Sequence, residues 1–504
     1  IACINFMNLS TARSIHRNTE VGIRKVAGAT RRQLIYQFMQ ESYLYTLLSM
    51  ILGVLLANLL MPVFNRISGK ELQMEMAYSI TFLIALVALF VLVGFIAGIY
   101  PSFFASAFKP IEVLKSGSGG RGSSYSIRKI LIVFQFIISI ALIIAALIVS
   151  RQLNYIKDKE LGFDKEHIVV TTIRDGRYSK RYHTIRNELL KNNNIVNIAG
   201  SYSIPGSFCS DNNLYFTRDN NTTDYIHCWR YSVDYNYIDT LGIKILWGRD
   251  FAPDRQTDQA RSVILNRTAA EQIGWDNPIG KILTQRTLKG GAERYKVVGV
   301  VEDFHFRSLH RRIEPLHLRL LPKTRGPYYL ITKIKQHNIQ ETIAYIGNKY
   351  NEFVPNQPFD YFFLNESIDS LYKKEQRFSA TVGYLSVLAV FVACLGLFGL
   401  ASFIAERRRK EVGIRKALGA DNRRVVTLFV KSFVKSVLIA AVIASPIAYY
   451  FMYKWLQNFA YSIGINISSF IIATLLTLFL AVLAVSAQAL RAARVNPVEA
   501  LRYE

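Results

Sequence analysis

Acidic residues are in short supply: 36 aspartates and glutamates stand against 61 lysines and arginines, a formal net charge of +25 over 504 residues. A sequence pI near 9.8 raises nucleic acid as a partner. The basic residues, however, cluster beside apolar runs and form no stripe interleaved with exposed aromatics, so nucleic-acid binding is excluded as the leading reading. Cysteine is scarce as well. Of four cysteines, Cys3 and Cys394 fall in apolar runs, while Cys209 and Cys228 share one hydrophilic segment, too few ligands for a zinc site. Two readings of the second pair stand. One is a disulfide closing a loop of 18 residues, worth about 3 kcal/mol; the other is two free thiols buried as small apolar side chains.

The motifs of enzymatic chemistry are missing too. Gly274-Trp-Asp-Asn-Pro-Ile-Gly-Lys281 superficially resembles a phosphate loop, yet it has five residues between its glycines and Ile282 where Ser or Thr should hold magnesium. It reads as a turn with structural glycines. No Gly-x-Ser-x-Gly elbow and no His-Glu-x-x-His helix occurs. Asp303, His305 and His310 offer a carboxylate and two imidazoles, but their spacing suits loop polar groups better than a metal site. The chain is therefore expected to be no enzyme, with no catalytic, cofactor-binding or metal residues of its own.

What the chain has in abundance is apolar length, with 51% hydrophobic residues. Tyr43 to Phe64, Ser79 to Tyr100, Ile130 to Val149, Phe378 to Ala405, Ser436 to Tyr453 and Ser468 to Leu490 are almost free of charge, and each is long enough to cross roughly 30 Å of hydrocarbon as a helix. Ile1 to Met7 reads as the tail of a further apolar helix, giving about seven spans with the first partial. Asn58, Gln135, Gln488, Pro62 and Pro446 interrupt the spans, either as satisfied packing features or as part of a pathway.

The chain also repeats itself. Glu20-Val-Gly-Ile-Arg-Lys-Val-Ala-Gly-Ala29 returns as Glu411-Val-Gly-Ile-Arg-Lys-Ala-Leu-Gly-Ala420, and over the nineteen positions to Phe38 and Phe429 ten are identical at an offset of 391. Pro110 to Lys115 likewise returns as Pro497 to Arg502. Two copies of one unit follow. In each, Gly28 or Gly419 can end a helix in the left-handed conformation, and Thr30 or Asp421 can cap the next, with Gln33 completing a capping box after Thr30. The charges alone would suit a basic juxtamembrane linker; a repeated shape is more than an anchor requires.

Lysine and arginine counts set the orientation. The segments 13–42, 109–129, 406–435 and 491–504 carry 24 of them, against 3 in the short loops 65–78 and 454–467. Both repeat copies and the C-terminus are therefore expected in the cytoplasm, and Arg151 to Arg377 outside. That outer segment is large enough for its own core, in two lobes. Arg261 to Leu265 and Tyr295 to Val301 read as strands and Tyr182 to Leu190 as a helix, so the expected fold is an α-helical transmembrane bundle with a mixed α/β extracytoplasmic domain. The divisions are 1–129, a first transmembrane unit ending in a cytoplasmic linker at 109–129 with a flexible Gly/Ser joint; 130–150, a span; 151–377, the outer domain; and 378–504, the second transmembrane unit.

Taken together, the duplicated Glu-Val-Gly-Ile-Arg-Lys-x-x-Gly-Ala, Leu241 to Arg249, Val297 to Phe304 and Asn496-Pro-Val-Glu-Ala-Leu501 resemble an ABC transporter permease of the MacB/FtsX type. The resemblance implies a multi-pass protein of a bacterial inner membrane with a periplasmic core domain. It also implies a cytoplasmic ATPase partner that carries ATP and magnesium, with membrane lipid, a periplasmic adaptor and an outer-membrane channel as further partners. The ATPase would dock on Glu20, Gly22, Arg24, Lys25 and Gly28 and on Glu411, Gly413, Arg415, Lys416 and Gly419. Movement of the outer domain would then export or extract a peptide, lipid, lipoprotein or drug. The alternative is a signal relay controlling a cell-wall hydrolase. Because only the end of the returning span precedes the first repeat copy, roughly 260 further residues are expected upstream, for eight spans in all.

Overall fold

The computed structural model describes residues 1–14, 18–68, 79–106, 123–174, 181–218, 222–286, 291–322, 326–355, 357–407, 411–412, 414–415 and 421–493. The chain divides into two units: Ile1–Gln152, Glu375–Leu456 and Ile463–Glu504 form one, and Leu153–Lys374 with Gln457–Ser462 the other. The first begins with α1 (Ala2–Ser14), α2 (Asn18–Val26), α3 (Arg31–Ser68), α4 (Ile80–Ser106) and α5 (Ser123–Asp158). On α3 the residues Leu52, Leu55 and Leu59 are all more than half exposed, as suits a helix that is apolar all round and meets lipid.

The second unit is α/β. In chain order it holds β1 (Ile168–Thr172), α6 (Tyr182–Leu189), β2 (Ile195–Ser201), β3 (Ser210–Thr217), β4 (Thr223–Val233), α7 (Tyr237–Thr240), β5 (Ile245–Gly248), α8 (Gln256–Arg261), β6 (Ser262–Asn266) and α9 (Arg267–Ile273). There follow β7 (Ile282–Arg286), β8 (Ala292–Val301), β9 (Leu316–Leu320), β10 (Tyr329–Ile334), α10 (Ile339–Phe353), β11 (Tyr361–Phe363) and α11 (Leu364–Ser370). Two lobes are legible. In one, the antiparallel run β11-β1-β10-β2 packs Val169, Ile198 and Leu330 against Ile185 and Leu189 of α6 and Ile346 and Tyr350 of α10. In the other, β4-β3-β7-β8-β6-β9 closes on itself, because β9 pairs in parallel with β4. This ring of six strands encloses Leu214, Ile226, Cys228, Leu265, Leu283 and Val297 with Ala269, Ala270 and Ile273 of α9. A single pairing, Ser201 with Val233, joins β2 to the ring.

The helical unit resumes with α12 (Lys373–Arg407), α13 (Asn422–Leu456) and α14 (Ile467–Ala493). Among the described residues six helices are long and apolar enough to cross a membrane, at Arg31–Asn65, Ile80–Ile99, Lys129–Asp158, Lys373–Glu406, Val426–Leu456 and Ile467–Arg491. They coincide with the six full spans read from the sequence; α1 has 13 residues and is too short to cross. Against α12 it packs closely. The Asn5 side-chain amide donates to the Val392 carbonyl at 2.6 Å, and a Cβ on Gly396 would collide with that amide, as one on Gly399 would with Leu9. The repeat offset makes Asn5 the counterpart of Gly396 and Asn8 that of Gly399.

Candidate functional site

The first repeat copy is a helix, a turn and a helix. The Ala29 N–H reaches back to the Arg24 carbonyl at 2.9 Å and the Gly28 N–H to the Lys25 carbonyl at 3.1 Å, with Gly28 at φ +96°. Those two bonds define a Schellman stop, and its left-handed residue explains the glycine. The Thr30 N–H then donates to Gln33 Oε1 at 2.8 Å and the Gln33 N–H to Thr30 Oγ1 at 3.4 Å, a capping box that starts α3. Arg24 ties the turn from both sides, pairing with Glu20 at 2.8 Å and donating to Gln37 Oε1 at 2.7 Å. Lys25 donates to the Ser106 carbonyl at the end of α4, 2.8 Å away, where the last carbonyls of a helix lack partners. Burial and the positive Arg31 lower the pKa of this ammonium.

Val21 and Gly22 are buried, while Ile23 and Val26 are 61% and 69% exposed. Thus α2 presents an outward face with two β-branched apolar residues beside an ion pair. The second copy repeats the chemistry: Arg415 pairs with Glu411 at 2.8 Å, Val412 is buried and Ile414 is 45% exposed. Gly413, Lys416 and Gly419 lie outside the described residues. Both ion pairs are about half exposed, so each contributes no more than about 0.5 kcal/mol. They set shape and surface chemistry rather than stability.

The α/β unit holds a feature that the sequence did not disclose, since Gln457–Ser462, the turn between α13 and α14, belongs to it. Phe459 stacks on His310 at 4.7 Å, and Tyr461 meets His305 edge-on at 4.9 Å. The ammonium of Lys159 lies 3.9 Å over the Tyr461 ring, and the Ile313 N–H donates to the Tyr461 hydroxyl at 3.4 Å. Burial, aided by Lys159, pushes the His305 imidazole down to about 4, so it is neutral here. Two aromatics in a short loop were the available signal. Asp303 accepts from the N–H and the hydroxyl of Thr268 at 2.9 and 2.7 Å, and no group of three metal-ligating side chains occurs among the described residues.

Matches to known families fall on these same parts. Residues 1–110 and 383–497 match the FtsX-like permease C-terminal family, and residues 130–313 match the MacB-like periplasmic core domain. The chain is a permease of the MacB/FtsX type. Both copies of the repeated stretch lie within the FtsX-like match of this permease, whereas the core-domain match ends before β9. One relative is the macrolide export ATP-binding/permease protein MacB of Pasteurella multocida, 36% identical over 111 residues, which are 22% of this chain and 17% of that one. Another is the uncharacterized ABC transporter permease YvrN of Bacillus subtilis, 33% identical over 113 residues, 22% of this chain and 26% of that one. The periplasmic region of MacB from Actinobacillus actinomycetemcomitans superposes with a TM-score of 0.31 at 16% identity, covering 42% of this chain and 95% of that one. The permease thus spans about a sixth to a quarter of the length of these two sequence relatives.

Of the two readings of Cys209 and Cys228, the fold of this permease shows the second: both are free thiols and both are buried. The cause is parity: Cys228 pairs with Asn212 across the β3–β4 hairpin and joins the core inside the ring. Cys209 is an odd number of residues from Asn212 and so lies toward the other face, near Tyr231. Burial pushes the Cys209 thiol up to about 11 and raises that of Cys228 further. With neither thiolate formed at neutral pH, both should resist alkylation in the folded protein and both should react after denaturation without reductant. Mass spectrometry showing an unreacted pair in the denatured, unreduced sample would restore the disulfide.

Proposed function

We propose that this permease couples ATP hydrolysis by a separate cytoplasmic ATPase to movement of its α/β domain, and so exports or extracts a peptide, lipid, lipoprotein or drug. The observation that carries the reading is the twofold recurrence of one surface: a buried valine, an exposed isoleucine and a Glu-Arg pair at 2.8 Å, at 20–24 and again at 411–415. A rigid stop and capping box at the first copy join that surface to α3, so a push on α2 moves a span instead of bending a linker. The lysine and arginine bias supports a cytoplasmic position for both copies and an outer position for the α/β domain. Macrolide export stands in the name of the Pasteurella relative, and an amphipathic drug is accordingly one of the cargo classes proposed.

ATP and magnesium are assigned to the partner, because the stretch from Gly274 to Lys281 is a turn in which Gly274 ends α9 and Gly280 leads into β7. Purified alone in detergent, the permease should hydrolyse no ATP; co-purified with its ATPase, it should alter that enzyme's turnover. Hydrolysis of ATP above background by the permease alone would refute the assignment.

A further inference from the structure

The ring of six strands in the α/β unit carries an arrangement that coupling to an ATPase does not use. Paired strand residues share a face, and so do alternate residues along a strand. Asn212 pairs with Cys228, and Arg230 lies two residues beyond it. His317 pairs with Arg230 on one side and with Leu265 on the other. Arg319 follows two residues after His317, and Gln285 pairs with Glu293 two residues from Leu283 and Tyr295. Since Cys228, Leu265, Leu283 and Tyr295 all belong to the ring's core, these six polar side chains lie on its inner face. They occupy the end away from α9, because β6 runs from that end toward Asn266, where α9 begins.

A donor and acceptor count shows an imbalance. Gln285 donates to Asn212 Oδ1 at 3.0 Å, and Arg319 donates to Gln285 Oε1 at 2.7 Å. Arg319 also lies 3.5 Å from the Glu293 carboxylate, and it bonds to the Tyr295 hydroxyl, which in turn bonds to Glu293. Asn212 Oδ1, Gln285 Oε1 and Glu293 Oε2 are thereby engaged. Left over are Arg230 Nε and Asn212 Nδ2, both buried and without a partner, and the His317 ring, whose buried nitrogens meet no side-chain acceptor. His317 is 0% exposed; burial, with the positive Arg319 and Arg230, lowers its pKa and keeps it neutral. Two guanidinium groups face one carboxylate, so one positive charge and at least three N–H donors have no counterpart. Buried donors and charges are normally matched. Glu293 is about half exposed and Arg319 19% exposed, which leaves this end of the ring open toward solvent.

We propose that the end of the ring lined by Arg230, Asn212, His317 and Arg319 binds a small oxyanion, a carboxylate or phosphate group. Arg230 supplies the charge and a planar fork suited to two oxygens, and Asn212 and His317 supply single N–H donors from adjacent strands. Glu293 stays outside the ligand set because Arg319 and Tyr295 hold it. This site is independent of ATPase coupling and stands or falls separately from it.

The test is thermal unfolding of the full-length permease in detergent, followed by tryptophan fluorescence at constant ionic strength, with inorganic phosphate or acetate replacing chloride. A ligand of the folded state raises the midpoint saturably. Wild type should show that rise with at least one of the two anions. Arg230→Met should have a higher midpoint in chloride, because a buried, unpartnered Nε–H is gone, and should not respond to either anion. Arg286→Met, an exposed arginine over Tyr215 on a neighbouring strand, should respond like wild type. Should Arg230→Met fail to fold, Asn212→Ala serves in its place, with apparent affinity weakened roughly tenfold. Equal shifts in wild type and Arg230→Met would identify a general salt effect and overturn the site, as would a flat response to both anions.

Discussion

Reversing two charges, Arg24→Glu together with Arg415→Glu, is expected to abolish stimulated ATP turnover in the assembled complex while leaving insertion and folding intact. Each reversal replaces an attractive Glu–Arg contact by a Glu–Glu pair one turn apart, a local cost of about 0.5 kcal/mol per helix. That is too little to unfold a span. The lysine and arginine bias between the two sides, 24 against 3, also survives the loss of two arginines, so topology should hold. An arginine at a protein contact is another matter. Removing one partner of a desolvated, hydrogen-bonded charge pair costs about 2–5 kcal/mol, and two such losses with inverted sign should reduce association by several orders of magnitude. The measurement is ATPase rate and co-purification, with membrane extraction and protease protection as controls. Normal turnover in the double variant would reduce Arg24 and Arg415 to topological anchors, and a single variant that is fully inactive would show that one copy dominates.

The second large effect concerns stability of the α/β unit. Asp258 on α8 has a fully buried side chain and accepts from both terminal nitrogens of Arg249, at 2.5 and 2.9 Å, from the Ala252 N–H at 3.0 Å and from the Ser262 hydroxyl at 2.9 Å. Burial alone would raise its pKa, but the hydrogen bonds from Arg249, Ala252 and Ser262 outweigh it, and the carboxyl sits below its ordinary value. Asp258→Ala leaves the one-third exposed Arg249 with only the Asp250 carbonyl and takes the acceptor from the Ser262 hydroxyl and the Ala252 N–H. It should cost about 2–3 kcal/mol, a large share of a domain's stability of about 5–15 kcal/mol. Unfolding in urea reads this directly. The pH dependence has a definite sign. Because the folded pKa is depressed, the contribution of Asp258 is complete above the unfolded value near 4 and is lost as pH falls through the folded one. Wild type should therefore lose more stability than Asp258→Ala on acidification below about pH 4. Parallel pH profiles for the two proteins would show that the ion pair contributes nothing.

How much of this was legible in the sequence depended on the range of the interaction. The spans, the Gly28 stop and the Thr30–Gln33 box are set within a few residues by apolar length and local hydrogen bonding, and the structure shows them where the residues suggested. Strands such as Ser262–Asn266 and the helix Tyr182–Leu189 also announced themselves. Closure of the ring did not, since alternation tells which side chains share a face but not that Trp229 to Val233 would lie beside Leu316 to Leu320. The choice between a bridge and two free cysteines stayed open for the same reason: sequence distance allowed either, and only the hairpin register sends the two thiols to opposite faces. Nor could composition show that Phe459 and Tyr461 would join the α/β unit, because the histidines they meet lie some 150 residues earlier.

The contact of α1 with α12 bears on why the two halves share one polypeptide. Identical subunits related by a twofold axis must present the same residue at the same place, so neither can carry the protruding side chain where its partner needs the gap. Here Asn5 and Asn8 stand in one copy where Gly396 and Gly399 stand in the other, and the Asn5 side chain fits against Gly396. Covalent duplication removes the symmetry requirement and lets a lock and its key evolve at equivalent positions. The halves are thereby committed to each other, and neither can be exchanged for a second copy of its sibling without placing asparagine against asparagine, or glycine against glycine, at the seam.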